Sequence, residues 1–211
     1  MNAKHIKTLV FDVDDTLYPK SLGLHNSGWE RLLSIFNTNK KEEFGIGHLS
    51  ADDYKTHGDD LLRKQNNFNW DGFMGYICDQ DISSIEFNHN LKESLKKLPH
   101  KKIIYTDADY RHMHRVLEKL SISDLFTHKF SCADGNYHFK PYPESFNAFF
   151  QKTKINPHES AFFEDTKKNL KAAKTYGMMT ILISEETEKP EYCDFVFRDV
   201  ESALKIFEWG D

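Results

Sequence analysis

From residue 102 to residue 207 the sequence switches repeatedly between short strand-like runs and stretches with a helical repeat, and no other feature constrains the fold as tightly. Strand-like runs stand at 102–105, 129–131, 161–163, 180–183 and 195–197, and helix-period segments at 111–120, 144–153, 168–176 and 201–207. A further run at 8–11 is continuously apolar where an exposed strand would alternate, as expected of a strand covered on both faces. Alternation of this kind implies right-handed crossovers and an α/β fold, a parallel sheet with helices on both sides. Ligands of such sheets bind outside the carboxyl ends of the strands, where the strand order reverses.

Between residues 24 and 85 only the helical pattern is present. Trp29, Leu32, Leu33 and Phe36 share one helical face. Ser50 with Asp53 forms a capping box, with Leu49 and Tyr54 as a hydrophobic staple, opening a helix expected to run to residue 64. A third helix is expected over 70–78, and 90–98 reads as one more, closed by Pro99. These helices interrupt the alternation, so residues 21–86 are read as an inserted helical cap domain and residues 1–20 with 87–211 as the α/β core. Trp29, Trp70 and Phe73 are assigned to the core of the insert, and Tyr54, Lys55 and Asp79 are candidate specificity residues. The chain has 211 residues with 17 Phe, enough apolar surface for a sizeable core.

Charge and cysteine content exclude several classes. A net charge of −5 argues against a nucleic-acid polymer as partner, which calls for a basic stripe. Three widely spaced cysteines, Cys78, Cys132 and Cys193, make neither a disulfide framework nor a zinc pattern. The first seven residues lack an apolar signal region, and no apolar run approaches the roughly 18 residues of a membrane span. The expectation is a soluble cytoplasmic protein with no membrane partner and an oligomeric state left open.

The first strand runs into Phe11-Asp12-Val13-Asp14-Asp15-Thr16-Leu17-Tyr18-Pro19. In an extended segment Asp12, Asp14 and Thr16 would face one way. Carboxylates so close repel by roughly 4 kcal/mol at 4 Å and an effective dielectric near 20. A cation among them resolves the repulsion, and hard oxygen ligands suit Mg²⁺. The later strand ends add Thr106 and Asp107, then Glu164 and Asp165, with Lys140 before Pro141 on the approach to a helix between them. Together these are carboxylates for a metal, a hydroxyl for a phosphate oxygen, and one ammonium for balance.

On these residues the sequence resembles phosphatases of the haloacid dehalogenase superfamily, whose core is a Rossmann-like parallel sheet with an inserted cap. The motifs are Asp12-Val13-Asp14-Asp15-Thr16, the Thr after the second core strand, the Lys140-Pro141 step, and Glu164-Asp165 with Asn169 four residues later. Leu17-Tyr18-Pro19, the cap stretch Tyr54-Lys55-Thr56-His57-Gly58, Thr106-Asp107-Ala108-Asp109 with His112, and Gly177-Met178-Met179-Thr180 bring it closest to the pyrimidine 5'-nucleotidase-like branch. The resemblance implies that Asp12 is the nucleophile and forms an aspartyl-phosphate, with Asp14 the general acid and then base, its pKa raised by burial and neighbouring carboxylates. It implies Mg²⁺ held by Asp12, Asp14 through its backbone carbonyl, Asp165 and Glu164, directly or through water. Substrate phosphate would be held by Thr16, Thr106, Asp107 and Lys140, with Asn169 orienting Lys140 or the metal shell. A dehalogenase of this type lacks the acid two residues after the nucleophile, because halide needs no proton.

The resemblance therefore implies a Mg²⁺-dependent hydrolase of small phosphomonoesters, with a pyrimidine nucleoside 5'-monophosphate leading. Its rivals are a phosphoglycolate or sugar-phosphate phosphatase or a phosphomutase on the same scaffold, and a catalytically silent partner-binding regulator. Some positions depart from the branch. Asp107 replaces the usual Asn and places negative charge near a phosphate unless it turns to cap the following helix. Ser121 replaces a Gly where positive φ is expected. His112 and His114 are two apart on a helix and face different ways, so they do not form a ligand pair; His112 matches the branch, and a helix-surface or packing role is preferred for it over a contact with the site.

Overall fold

The computed structural model describes residues 3–186 and 188–208; Met1 and Asn2, of the seven residues read as lacking a signal region, lie outside them. The chain divides into two compact units, residues 23–81 and residues 1–22 with 82–211.

The 23–81 unit is helical, with α1 (Leu24–Phe36), α2 (Lys40–Phe44), α3 (Ala51–His57), α4 (Asp59–Arg63) and α5 (Trp70–Ile77). The capping box forms as the sequence predicts: the Asp53 N–H donates to Ser50 Oγ at 3.1 Å and the Ser50 N–H to Asp53 Oδ2 at 2.8 Å. The helix it opens stops short of residue 64. Gly58, at φ 58° and ψ −146°, takes a conformation side-chain-bearing residues rarely adopt, and it separates α3 from α4. The short α2 is unforeseen, since five residues hold too little of a helical repeat to be read. Leu32, Ile35, Phe36, Phe44 and Phe73 are buried, with the Phe44 and Phe73 rings edge to face at 5.9 Å. Trp29 is 42% exposed and so lies off the buried stripe of α1, contrary to its core assignment. Trp70 is half-buried, edge to face with Phe68 at 4.6 Å and beneath the Arg63 guanidinium at 5.0 Å.

The second unit holds six strands, β1 (Thr8–Phe11), β2 (Lys101–Tyr105), β3 (His128–Phe130), β4 (Ser160–Glu164), β5 (Met179–Ile183) and β6 (Phe195–Phe197). All pair in parallel, in the order β3-β2-β1-β4-β5-β6. The helices α6 (His89–Lys97), α7 (Tyr110–Lys119), α8 (Pro143–Thr153), α9 (Lys167–Thr175) and α10 (Val200–Leu204) connect and follow them. Val10 pairs with Ile103 and Phe162, and Phe11 with Ile104 and Phe163, so alternate residues line opposite faces. On one face Tyr105 stacks on Phe149 of α8 at 4.2 Å; on the other Phe11 stacks on Phe163 at 4.5 Å. Burying each such ring stabilises the fold by about 1.5–3 kcal/mol. The Tyr105 hydroxyl meets Ser145 Oγ at 2.7 Å, so this buried ring leaves no unpaired polar atom.

After β3 the chain returns past β1 to begin β4, so the strand order reverses between β1 and β4. The carboxyl ends of these two strands are where a ligand crevice is expected. After α7 the chain turns through Ser121 at φ 54°, the left-handed position expected from the Gly that the resembled branch carries there. Among the described residues no helix is long and apolar enough to cross a membrane.

Candidate active site

Asp12 is the first residue beyond β1, and its N–H still donates to Phe163 O at 3.0 Å. The ladder thus carries Asp12 to the end of β4, beside Glu164. Past Val13 the chain is not extended. Thr16 and Leu17 both donate their N–H to Val13 O, at 3.3 and 2.9 Å, and Asp15 has φ 57°. Period-two facing does not survive a turn, so the expected common face of Asp12, Asp14 and Thr16 is replaced by separate environments.

Lys140 Nζ joins the strand ends. It donates to Asp12 Oδ1 at 2.7 Å, Glu164 Oε2 at 2.8 Å and Tyr105 O at 3.1 Å. The rings of Tyr105 and Phe162, 5.1 and 5.3 Å from Nζ, wall it from water. Asn169 Nδ2 donates to Glu164 Oε2 at 3.1 Å, and the Thr166 N–H to Glu164 Oε1 at 3.0 Å, which fixes the carboxylate at both ends. Asn169 therefore acts on Lys140 through Glu164. Thr106 is buried; its Oγ1 accepts the Ala108 N–H at 3.1 Å and keeps its own proton to donate. Thr16 Oγ1 is buried with no hydrogen-bond partner among the described residues.

Burial pushes the Asp12 carboxyl well up; Lys140 opposes this without cancelling it, and Glu164, Asp14 and Asp165 add to the rise. Burial likewise raises Glu164. Burial alone would lower Lys140, but Asp12, Glu164 and Asp107 outweigh it and hold the ammonium charged. One ammonium thus serves an excess of carboxylates.

Asp12, Glu164 and Asp165 each offer an oxygen within 4.8 Å of the others. Fully ionised, these three exceed the Lys140 charge by two. An all-oxygen donor set with that excess fits a hard divalent cation such as Mg²⁺. The Asp14 side chain is not in the group, so only its backbone is left for the ligand role the resemblance implies. Asp165 also lies 3.3 Å from Lys20 Nζ.

Asp14 Oδ1 receives two donors instead. The Tyr18 hydroxyl is 2.6 Å away and His112 Nε2 2.7 Å away. A carboxylate only accepts, so Nε2 carries the proton. Burial acts to raise Asp14, but the His112 charge and hydrogen bond, with the Tyr18 bond, bring it below the usual carboxylate value. The sequence reading expected the opposite shift, because it did not include these donors. His112 is reciprocally raised: burial would lower it, and Asp14 overrides that.

His112 is therefore a site contact, the less favoured of the expected roles, and not a helix-surface or packing residue. It stands in the first turn of α7, directly after the carboxyl end of β2, and that position was the available signal. Tyr18, four residues past Asp14 in the turn, was missed in the same way. Asp107 does not cap α7, because Asp109 does, accepting the His112 N–H at 2.8 Å. Asp107 Oδ1 accepts the Lys140 N–H at 2.9 Å and ties the strand end to the lysine loop. Its pKa is pushed up to about 6, chiefly by burial.

A family model described as haloacid dehalogenase-like hydrolase matches residues 6–177. The HAD-hydrolase YfnB from Bacillus subtilis, solved bound to magnesium, is 17% identical with a TM-score of 0.61, covering 96% of this chain and 98% of its own. The L-2-haloacid dehalogenase from Xanthobacter autotrophicus, solved with covalently bound chloropropionic acid, is 14% identical with a TM-score of 0.59, covering 98% and 100%. A Thermotoga maritima structure named for β-phosphoglucomutase is 15% identical with a TM-score of 0.58, covering 96% and 99%. At these identities the likeness is one of fold.

Proposed function

The chain belongs to the haloacid dehalogenase-like hydrolases, and from that premise we propose that it is a Mg²⁺-dependent phosphomonoesterase working through an aspartyl-phosphate. The observation that carries this reading is the meeting of Asp12, Glu164 and Asp165 within 4.8 Å, with Lys140 Nζ 2.7 Å from Asp12. Asp14, two residues on, favours phosphoryl transfer over dehalogenation, because an alkoxide leaving group needs a proton and a halide does not.

In this reading Asp12 attacks phosphorus, forming the Asp12 O–P bond as the bond to the leaving oxygen breaks. Asp14 delivers the proton that the leaving oxygen takes up. The two donors on Oδ1 keep Asp14 ionised in the free site, and a bound phosphate anion beside it raises its affinity for that proton. Water then attacks the phosphoryl group while Asp14 accepts its proton, freeing Asp12 and inorganic phosphate. Lys140 and Thr106 hold the phosphoryl oxygens, joined by the unpartnered Thr16 hydroxyl. Asp107 serves the phosphate indirectly, by holding the Lys140 backbone. Mg²⁺ bound by Asp12, Glu164, Asp165 and the Asp14 carbonyl would offset the mutual repulsion of nucleophile and phosphate. The 23–81 unit is the cap of this reading and sets substrate choice, with a pyrimidine nucleoside 5'-monophosphate as the leading substrate.

The test is phosphate release from a panel of UMP, CMP, AMP, phosphoglycolate and sugar phosphates, with Mg²⁺ or with chelator. Metal-dependent release concentrated on UMP and CMP is expected. Metal-dependent release on other members would keep the chemistry and remove the nucleotide assignment. No release from any member would refute the phosphatase reading.

A further inference from the structure

The Asp14 environment contains more than a general acid requires. The Tyr18 hydroxyl and His112 Nε2 both converge on Oδ1, at 2.6 and 2.7 Å. The Asp14 side chain is 30% exposed, whereas His112 is 1% exposed. The imidazole is held from behind: its backbone N–H is fixed by the Asp109 cap at 2.8 Å, at the third position of α7. Packing alone does not explain such a buried ring, because its Nε2 is aimed at one carboxylate oxygen while its Nδ1 has no partner among the described residues.

We infer that His112 is a positioning residue for proton delivery, clamping Asp14 Oδ1 together with Tyr18 so that Oδ2 is the oxygen that carries the transferred proton. The inference rests on the phosphomonoesterase reading. As the P–O bond breaks, its electron pair goes to the leaving oxygen, and the Oδ2 proton moves there. The electrons of the Oδ2–H bond stay on Asp14, whose new negative charge is shared with an oxygen already holding two hydrogen bonds. Those bonds strengthen as the charge develops, so they favour the transition state over the ground state. The same clamp returns Asp14 to one orientation for the hydrolysis step.

A clamp on a general acid has a signature that a packing role lacks: it matters in proportion to the leaving group's need for a proton. kcat/KM would be measured with p-nitrophenyl phosphate, whose leaving group departs unprotonated, and with the alkyl phosphomonoester turned over best. The variants are His112→Gln, whose amide N–H reaches about as far as Nε2, and His112→Asn, whose shorter side chain does not.

His112→Asn is expected to lower kcat/KM about 100-fold on the alkyl ester, within the usual range for a lost general acid, and less than about threefold on the aryl ester. His112→Gln should recover at least about tenfold of the alkyl loss. Equal losses on both esters, or His112→Gln no better than His112→Asn, would overturn the inference. If His112→Asn is not recovered folded, Tyr18→Phe makes the same comparison from the other donor, with selective alkyl loss expected and equal loss overturning. Failure of the wild type on both esters is a different result, and it would remove the phosphomonoesterase reading itself.

Discussion

Replacing Asp107 by Asn tests whether the carboxylate at the end of β2 weakens the fold while it holds the lysine loop. Its pKa is pushed from 3.8 up to about 6, chiefly by burial; Lys140 and the Lys140 N–H bond oppose the rise and Glu164 adds to it. The folded state thus binds this proton more tightly than the unfolded chain does. The penalty on the folded state is absent below pH 3.8, grows between 3.8 and 6, and is constant above. At 1.36 kcal/mol per unit it reaches about 3 kcal/mol at pH 7.5 and only about 1 kcal/mol at pH 4.5. The Asn carbonyl oxygen can still accept the Lys140 N–H, and an unpaired amide proton would offset about 1 kcal/mol. Urea unfolding of the two proteins at both pH values, with slopes compared, should show Asp107→Asn more stable by about 2 kcal/mol at pH 7.5 and nearly equal at pH 4.5. A destabilised variant at pH 7.5, or a difference independent of pH, would refute the reasoning.

Three further outcomes are expected. Asp12→Asn should abolish phosphate release while the near-UV circular dichroism stays native, and retained turnover would mean that Asp12 is not the nucleophile. Lys140→Ala should lose activity and about 3–5 kcal/mol of stability, because Asp12 and Glu164 would keep buried charge without their cation; an unchanged melting temperature would contradict the 2.7 and 2.8 Å ion pairs. Ser121→Gly should stabilise the fold by about 0.5 kcal/mol, since relief of left-handed strain exceeds the added chain entropy, and a destabilised variant would show that φ 54° is tolerated without strain.

Much of the fold was legible because it is written locally. Each of the six strands lies within one or two residues of an expected run, as in 161–163 against Ser160–Glu164. Strand ends are marked by the change from apolar to polar residues, and the parallel ladder then brings those ends together. That is why Asp12 and Glu164 could be grouped before any coordinates, with Lys140 added from the approach to α8, and why the Ser50 capping box was readable from four residues. The division of one expected helix at Gly58 was not readable because it depends on that glycine's backbone conformation, and the exposure of Trp29 was not because it depends on which edge of the α1 stripe is packed.

The sequence by itself determined the parallel sheet and the meeting of Asp12, Glu164 and Asp165 at its strand ends, set by periodicity along adjacent residues, while the family resemblance marked Lys140 and the left-handed turn at Ser121. Only the tertiary structure decided which groups Asp14 and Asp107 face. A turn at 14–17 breaks the extended register and sends Asp14 to Tyr18 and to His112, 98 residues away. Asp109 takes the α7 cap and leaves Asp107 to the Lys140 N–H. The sign of a carboxylate's pKa shift follows from the donors packed against it, and those are chosen by the folding of distant segments.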